Sequence, residues 1–262
     1  MLRVENLSCG YGQKDIISDI NFTAGSNEKI CIIGPNGCGK TTLLRALNGI
    51  LDYKGKILIN EFELKSLSRK DISRNIALMS QISSVYFSYT VYETIALGRY
   101  THNSKRIFSE ESEEDKKMID ECIKAVGLTD VKDKLITELS GGQLQRVFLA
   151  RVYAQDPEII LLDEPTNHLD LKNQIEFIDY LKLWSSKNNR IVIGVFHDLN
   201  LAMQFADRII LMNNGKIISN GTPAEVLGNK ELMNLLLPII RADFLMNENY
   251  QCAHQKKLPC PI

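Results

Sequence analysis

Two stretches more than a hundred residues apart carry side chains suited to handling a phosphoanhydride. The first is Gly34-Pro35-Asn36-Gly37-Cys38-Gly39-Lys40-Thr41-Thr42, in which four residues separate Gly34 from Gly39-Lys40-Thr41. Glycines permit the positive φ angles and close backbone approach that a phosphate cradle needs. The loop amides and the N-terminus of a following helix then face the anion. Lys40 would reach the β- and γ-phosphates, and the Thr41 hydroxyl would ligate Mg²⁺. A plain glycine-rich turn could give the same letters. The apolar strand Lys29–Ile33 before it and the apolar helix over 43–47 after it favour a loop that binds a nucleoside triphosphate. The second stretch is Asp163-Glu164, at the end of the apolar run 159–162. Asp163 can hold Mg²⁺ or its water, and Glu164 can polarise a water in line with the γ-phosphate. An acidic pair after a strand is more often a helix cap, but the loop upstream shifts the balance toward chemistry.

Further candidates cluster around these two. Gln81 follows the predicted strand 76–79, and His197-Asp198 follows the predicted strand 191–196. Ligands of open α/β sheets lie outside such carboxyl ends, where a γ-phosphate sensor belongs. Ser140-Gly141-Gly142-Gln143 opens a helix with bare backbone amides, a good anion site, although Ser is also an ordinary N-cap. Cys38, next to Lys40 at a helix start, is expected to lean toward thiolate and to be shielded by bound nucleotide.

The elements that must position these groups follow from hydrophobic period. Residues 2 to about 30 alternate as strands, with Tyr11-Gly12 at a turn and Asn27 at a site suited to a left-handed residue. A turn is predicted at Asn60-Glu61, a helix start at Ser68, and a helix over 90–97. From about 83 to 156 the pattern is helical. Glu110–Asp115 reads as a solvated helix start, followed by Met118, Ile119, Cys122, Ile123 and Val126 on one face and a stop at Gly127. The helix after Ser140 should bury Leu144, Val147, Phe148 and Val152. That after Asp170 should bury Leu171, Ile175, Ile178 and Leu181. Asn213-Asn214-Gly215 predicts a hairpin, and Thr222-Pro223 a last helix start.

Composition bounds the rest. With 262 residues and 44% hydrophobic content, the chain can bury a substantial core. A net charge of −1 advertises no nucleic-acid partner. No apolar run reaches membrane-span length, no signal peptide opens the chain, and the six cysteines lack CxxC spacing.

Taken in order and spacing, these motifs resemble the ATP-binding cassette (ABC) family over residues 2 to about 230. Lys40, Asp163 and Glu164 are shared with many ATPases; Leu139-Ser140-Gly141-Gly142-Gln143 looks like the family signature and makes the resemblance specific. Gln81 is similar to the Q-loop glutamine, 167–170 to the D-loop, His197 to the switch histidine, and Tyr11 to the aromatic stacked on adenine. The resemblance implies an α/β phosphate-loop NTPase core of RecA-like type, with an antiparallel β subdomain and an inserted α-helical subdomain at about 83–156. Residues 1–230 would form one ATPase domain, and 231–262 an extension of open structure. It implies ATP and Mg²⁺, with Thr41, Gln81 and Asp163 at the metal and Gly34, Asn36, Gly37, Cys38, Gly39, Lys40, Thr41, Thr42, Ser140, Gly141, Gly142 and Gln143 at the nucleotide. The last four would act in trans, closing over ATP held at Lys40 of a second copy. Glu164, His197, Gln81 and Lys40 are the implied catalytic set.

Within the family, Thr90-Val91-Tyr92-Glu93-Thr94 with Gly98-Arg99-Tyr100, and 197–202, look most like importers of iron chelates, haem and cobalamin. That implies a polytopic permease as partner, a substrate-binding protein indirectly, and a place on the cytoplasmic face of the membrane. An iron–sulfur cluster assembly ATPase, also a single cassette, is the rival reading. Ser80 stands where the family usually has Pro, and Asn27 and Glu61 where it has Gly; the first bears on Q-loop movement.

Overall fold

The computed structural model describes residues 1–12, 14–80, 88–102, 112–167, 169–186, 189–196, 198–229 and 232. The chain opens with two antiparallel strands, β1 (Leu2–Tyr11) and β2 (Lys14–Ala24), then enters β3 (Lys29–Ile33) and α1 (Lys40–Leu47). Asn27, between β2 and β3, has φ 60, the left-handed conformation that Asn tolerates. Next come β4 (Tyr53–Ile59) and the short β5 (Phe62–Glu63), joined by Asn60-Glu61 with both φ values positive, the hairpin turn whose twist matches its strands. Helix α2 (Arg69–Asn75), capped by Ser68, leads to β6 (Ile76–Met79).

Among the described residues between β6 and its sheet neighbour lie the helices α3 (Val91–Ala96), α4 (Glu113–Ala125) and α5 (Gly141–Ala154). Then follow β7 (Ile159–Asp163), α6 (Leu171–Ser185), β8 (Ile191–Val195), α7 (Leu199–Phe205), the hairpin β9 (Arg208–Asn213) and β10 (Lys216–Gly221), and α8 (Pro223–Leu227).

Two sheets result. One is antiparallel, in the order β2-β1-β4-β5; the other runs β10-β9-β3-β8-β7-β6, parallel except for the β9–β10 pair. The parallel strands are apolar on both faces, and their two-residue period sorts them. Ile30, Ile32, Ile159, Leu161, Ile193 and Ile210 join α1 and the antiparallel sheet in one core. Cys31, Ile33, Ile160, Leu162, Val192 and Ile209 face the helices in the other. Each fully buried Leu or Ile in these layers contributes roughly 1.5–3 kcal/mol. The layering aligns the carboxyl ends of β3, β7 and β8 on one edge of the sheet.

Several expectations need correction. Asp115 is not solvated: it is 4% exposed, and its carboxylate accepts from Arg99 Nε at 2.7 Å. Arg99 also donates to the Ala154 carbonyl, so the pair ties the segment after α3 to α4 and α5. Burial would raise the Asp115 carboxyl, but the hydrogen bonds from Arg99 and Ser112 outweigh it and hold the group below its ordinary range. On α6, Leu171 and Ile175 are 66% and 41% exposed, and the buried face is Phe177, Ile178, Leu181 and Trp184. On α5, Leu144 and Phe148 are only half-buried, while Leu149, Ala150 and Tyr153 are buried. In each case the neighbour that covers the helix decided between adjacent apolar stripes. Gly127, with φ 65, ends α4 as expected: Leu128 N–H reaches back to Ile123 and Gly127 N–H to Lys124.

Candidate functional site

The site grows from the end of β3, where the chain turns through residues 34–39 into α1. Gly39 takes φ 104 as the residue before the helix, and a Cβ there would sit 2.4 Å from Ile17 Cγ2, so only glycine fits. Asn36 and Gly37 are exposed at the mouth of the loop, while Lys40 and Thr42 are buried. Lys40 Nζ donates to the Gly34 carbonyl at 2.7 Å and to the Pro35 carbonyl at 3.0 Å. An ammonium group has three donors, so this arrangement holds the charge inside the loop and leaves a donor for an anion.

Thr41 Oγ1 donates to Asp163 Oδ1 at 3.0 Å, joining the first turn of α1 to the tip of β7 across 122 positions of sequence. Burial raises the Asp163 carboxyl above its usual range; the Thr41 hydrogen bond opposes this, and the neighbouring charge of Glu164 adds to it. A carboxylate that is costly to ionise where it stands, touching a hydroxyl, suits a cation. Glu164 comes next, with φ 53, an unusual backbone for a long side chain. Its Oε2 accepts from Asn167 Nδ2 at 2.6 Å, and its N–H donates to the Val195 carbonyl at the end of β8 at 3.2 Å. Strained positions of this kind cluster at functional sites.

Tyr11, at the end of β1, is 48% exposed and its hydroxyl accepts from Arg45 Nη1 at 2.9 Å. Arg45 lies one turn beyond Thr41 on α1, and sequence reasoning overlooked it; its place four residues after Thr41 on the loop's own helix was the available signal. The Ser140-Gly141-Gly142-Gln143 turn forms a complete capping box: Ser140 Oγ accepts from Gln143 N–H at 3.3 Å, and Gln143 Oε1 from Ser140 N–H at 3.0 Å. Gly141 is exposed, and Gly142 packs against the Asn173 side chain, which Asp170 holds in the first turn of α6. Among the described residues no hydrogen bond or ion pair joins 140–143 to the loop 34–42. Gln145, also overlooked, donates from Nε2 to the Pro165 carbonyl and so links α5 to the segment after β7. Gln81 and His197 lie outside the described residues.

The expectation for Cys38 is overturned. The side chain is 4% exposed, and it packs beneath the loop in the core shared with α1 and the antiparallel sheet. Burial raises the thiol above its ordinary range and outweighs the opposing influence of Lys40.

A parallel sheet with a glycine loop between β3 and α1, and a carboxylate from β7, two strands away, set on the loop's Thr, define a phosphate-loop NTPase. Residues 17–167 match the family model described as ABC transporter, and the chain belongs to that family. It is 35% identical over 227 residues to the iron(3+)-hydroxamate import ATP-binding protein of Bacillus subtilis, covering 86% of this chain and 84% of that one. It is also 35% identical over 227 residues to the ferric enterobactin transport ATP-binding protein of Escherichia coli, with 86% and 83% covered. Among solved structures, cbiO1 of Clostridium perfringens, described as part of the ABC transporter complex cbiONQ, superposes with a TM-score of 0.77. It is 30% identical, over 94% of this chain and 98% of that one. Among the described residues, no helix is long and apolar enough to cross a membrane.

Proposed function

We propose that this chain is the ATP-hydrolysing subunit of an importer that takes up iron chelates through a separate membrane permease. The observation that carries the reading is the Thr41–Asp163 contact, which sets a magnesium-competent pair beside the lysine of the phosphate loop. The relatives named for hydroxamate and enterobactin uptake support iron chelates as the cargo class. In this reading Gly34, Asn36, Gly37, Cys38, Gly39, Lys40 and Thr42 cradle the phosphates, the first five mainly through backbone amides and Lys40 also through its ammonium group. Tyr11 stacks on the adenine, in a pose supported by its hydrogen bond to Arg45.

Thr41 and Asp163 would hold Mg²⁺ together with Gln81. Two or three protein ligands suffice, because this ion keeps waters and takes substrate oxygens. Bound there, the ion neutralises charge developing on the phosphoryl oxygens. Glu164 orients the attacking water, held by Asn167, and His197 senses the γ-phosphate. Ser140, Gly141, Gly142 and Gln143 act on ATP held by a second copy. Residues 1–230 form one cassette, with its helical part at about 83–156 and an extension over 231–262. The cassette sits on the cytoplasmic face of the membrane beneath its permease, fed by a substrate-binding protein, with no nucleic acid involved. Leu97 and Tyr100, exposed after α3, offer the permease apolar surface.

The test is Glu164→Gln. ATP binding should persist, an ATP-dependent dimer should accumulate, and hydrolysis should fall by roughly 10²–10⁴-fold. Cells carrying only this variant should lose uptake of radio-iron as a ferric hydroxamate or catecholate while their iron–sulfur enzymes keep activity in iron-rich medium. Normal uptake with failing iron–sulfur enzymes would sink the import reading in favour of cluster assembly.

A further inference from the structure

We infer that the tip of the β9–β10 hairpin, through the Gly215 N–H, is a positioning element for the phosphate loop, fixing which way the Cys38–Gly39 peptide points. The proposal rests on the binding of nucleotide by the loop. Asn214 and Gly215 form a two-residue turn with φ 47 and 76, and the pairing of Asn213 with Lys216 closes it. The turn does not end in solvent. Gly215 N–H donates to the Cys38 carbonyl at 3.1 Å, and the Gly215 carbonyl accepts from Ser18 N–H at 2.9 Å. The hairpin tip is thus wedged between β2 and the back of the loop.

Two further contacts close the same wall. A Cβ at Gly34 would lie 2.1 Å from the Met212 carbonyl, and one at Gly39 would lie 2.4 Å from Ile17 Cγ2. The loop therefore has strand β9 against its start, and the hairpin tip and β2 against its end.

The consequence follows from peptide geometry. In a planar trans peptide the carbonyl and the N–H point in opposite directions. Drawing the Cys38 carbonyl outward onto Gly215 therefore turns the Gly39 N–H inward, toward the space Lys40 faces. A loop that collects anions with its amides must send its carbonyls elsewhere, and each buried carbonyl needs a donor. For Cys38 that donor comes from a hairpin 177 positions later in sequence. Gly215 cannot be replaced cheaply, since a Cβ would meet the Ile16 carbonyl at 2.2 Å.

The test compares four proteins by thermal melting and by titration with a fluorescent ATP analogue. Gly215→Ala should pry the tip from the loop and weaken nucleotide binding about tenfold or more. Gly55→Ala is the matched control. Gly55 has φ 88, and its Cβ would lie 2.3 Å from the Asn6 carbonyl, a similar strain in the antiparallel sheet. It should lower the melting temperature without moving nucleotide affinity. An ester in place of the Asn214–Gly215 amide removes only the N–H, and should weaken nucleotide binding by about fivefold, the worth of one hydrogen bond. Lys40→Ala is the reference: if it binds nucleotide normally, the reading of the loop itself fails. If Lys40→Ala loses binding while the ester protein binds like wild type, the positioning role of the hairpin is overturned alone. Should Gly215→Ala not fold, the ester protein decides.

Discussion

Replacing Glu164 by glycine and, separately, by alanine isolates the backbone strain at the end of β7 from the chemistry of the side chain. Both variants lose the carboxylate and its hydrogen bond to Asn167, so that loss cancels in the comparison. What remains is φ 53. An L-residue held in the left-handed region costs about 1–2 kcal/mol, which glycine does not incur. Against this, glycine loses more conformational freedom on folding, about 0.5–1 kcal/mol relative to alanine. The balance favours Glu164→Gly over Glu164→Ala by roughly 0.5–1 kcal/mol, the reverse of the order at an ordinary strand end. At roughly 2–4 °C per kcal/mol for a chain of this size class, the glycine variant should melt about 1–4 °C higher. Urea unfolding of the two variants at matched pH gives the difference directly, and both should be inactive as ATPases. An alanine variant as stable as the glycine variant, or more so, would show that residue 164 is not held in a strained conformation and would remove the argument that folding energy is stored at this position.

Asp115→Ala should destabilise the protein by about 3 kcal/mol or more at neutral pH, because it leaves the Arg99 charge buried without its partner. The Asp115 carboxyl is held below its unfolded value, so its stabilisation is present above that value and lost as pH falls through the folded one. The stability gap between variant and wild type should therefore narrow below about pH 4, and a gap constant down to low pH would contradict the ion pair. Cys38 should alkylate more slowly than a free thiol, with or without MgATP, as its burial and raised pKa require; rapid labelling seen by mass spectrometry would turn its side chain toward the nucleotide after all. Mixing Lys40→Ala with Ser140→Arg chains should restore ATPase activity above either alone if the site is shared between copies, and demonstrated heterodimers without recovery would exclude a shared site.

The sequence by itself determined the phosphate loop, because Gly34, Gly39, Lys40 and Thr41 act through backbone conformation and fixed spacing, which are local properties. It also determined the sheet strands, whose unbroken apolar runs have no stable place except between two covered faces, and the turns at Asn60-Glu61 and Asn214-Gly215, where Asn60, Asn214 and Gly215 are of types that tolerate positive φ. Strand order, and with it the meeting of Thr41 with Asp163, was decided by tertiary packing. So were the burial of Asp115, the exposure of Leu171 and Ile175, and the inward turn of Cys38. Each depends on which distant element lies alongside: Arg99 neutralises an aspartate that reads as a solvated helix start, and the core beneath α1 takes a thiol that the loop pattern alone would turn toward phosphate. A side chain's type and period state what it can do, while desolvation and partnership, which set its charge and reactivity, come only from neighbours brought close by the fold.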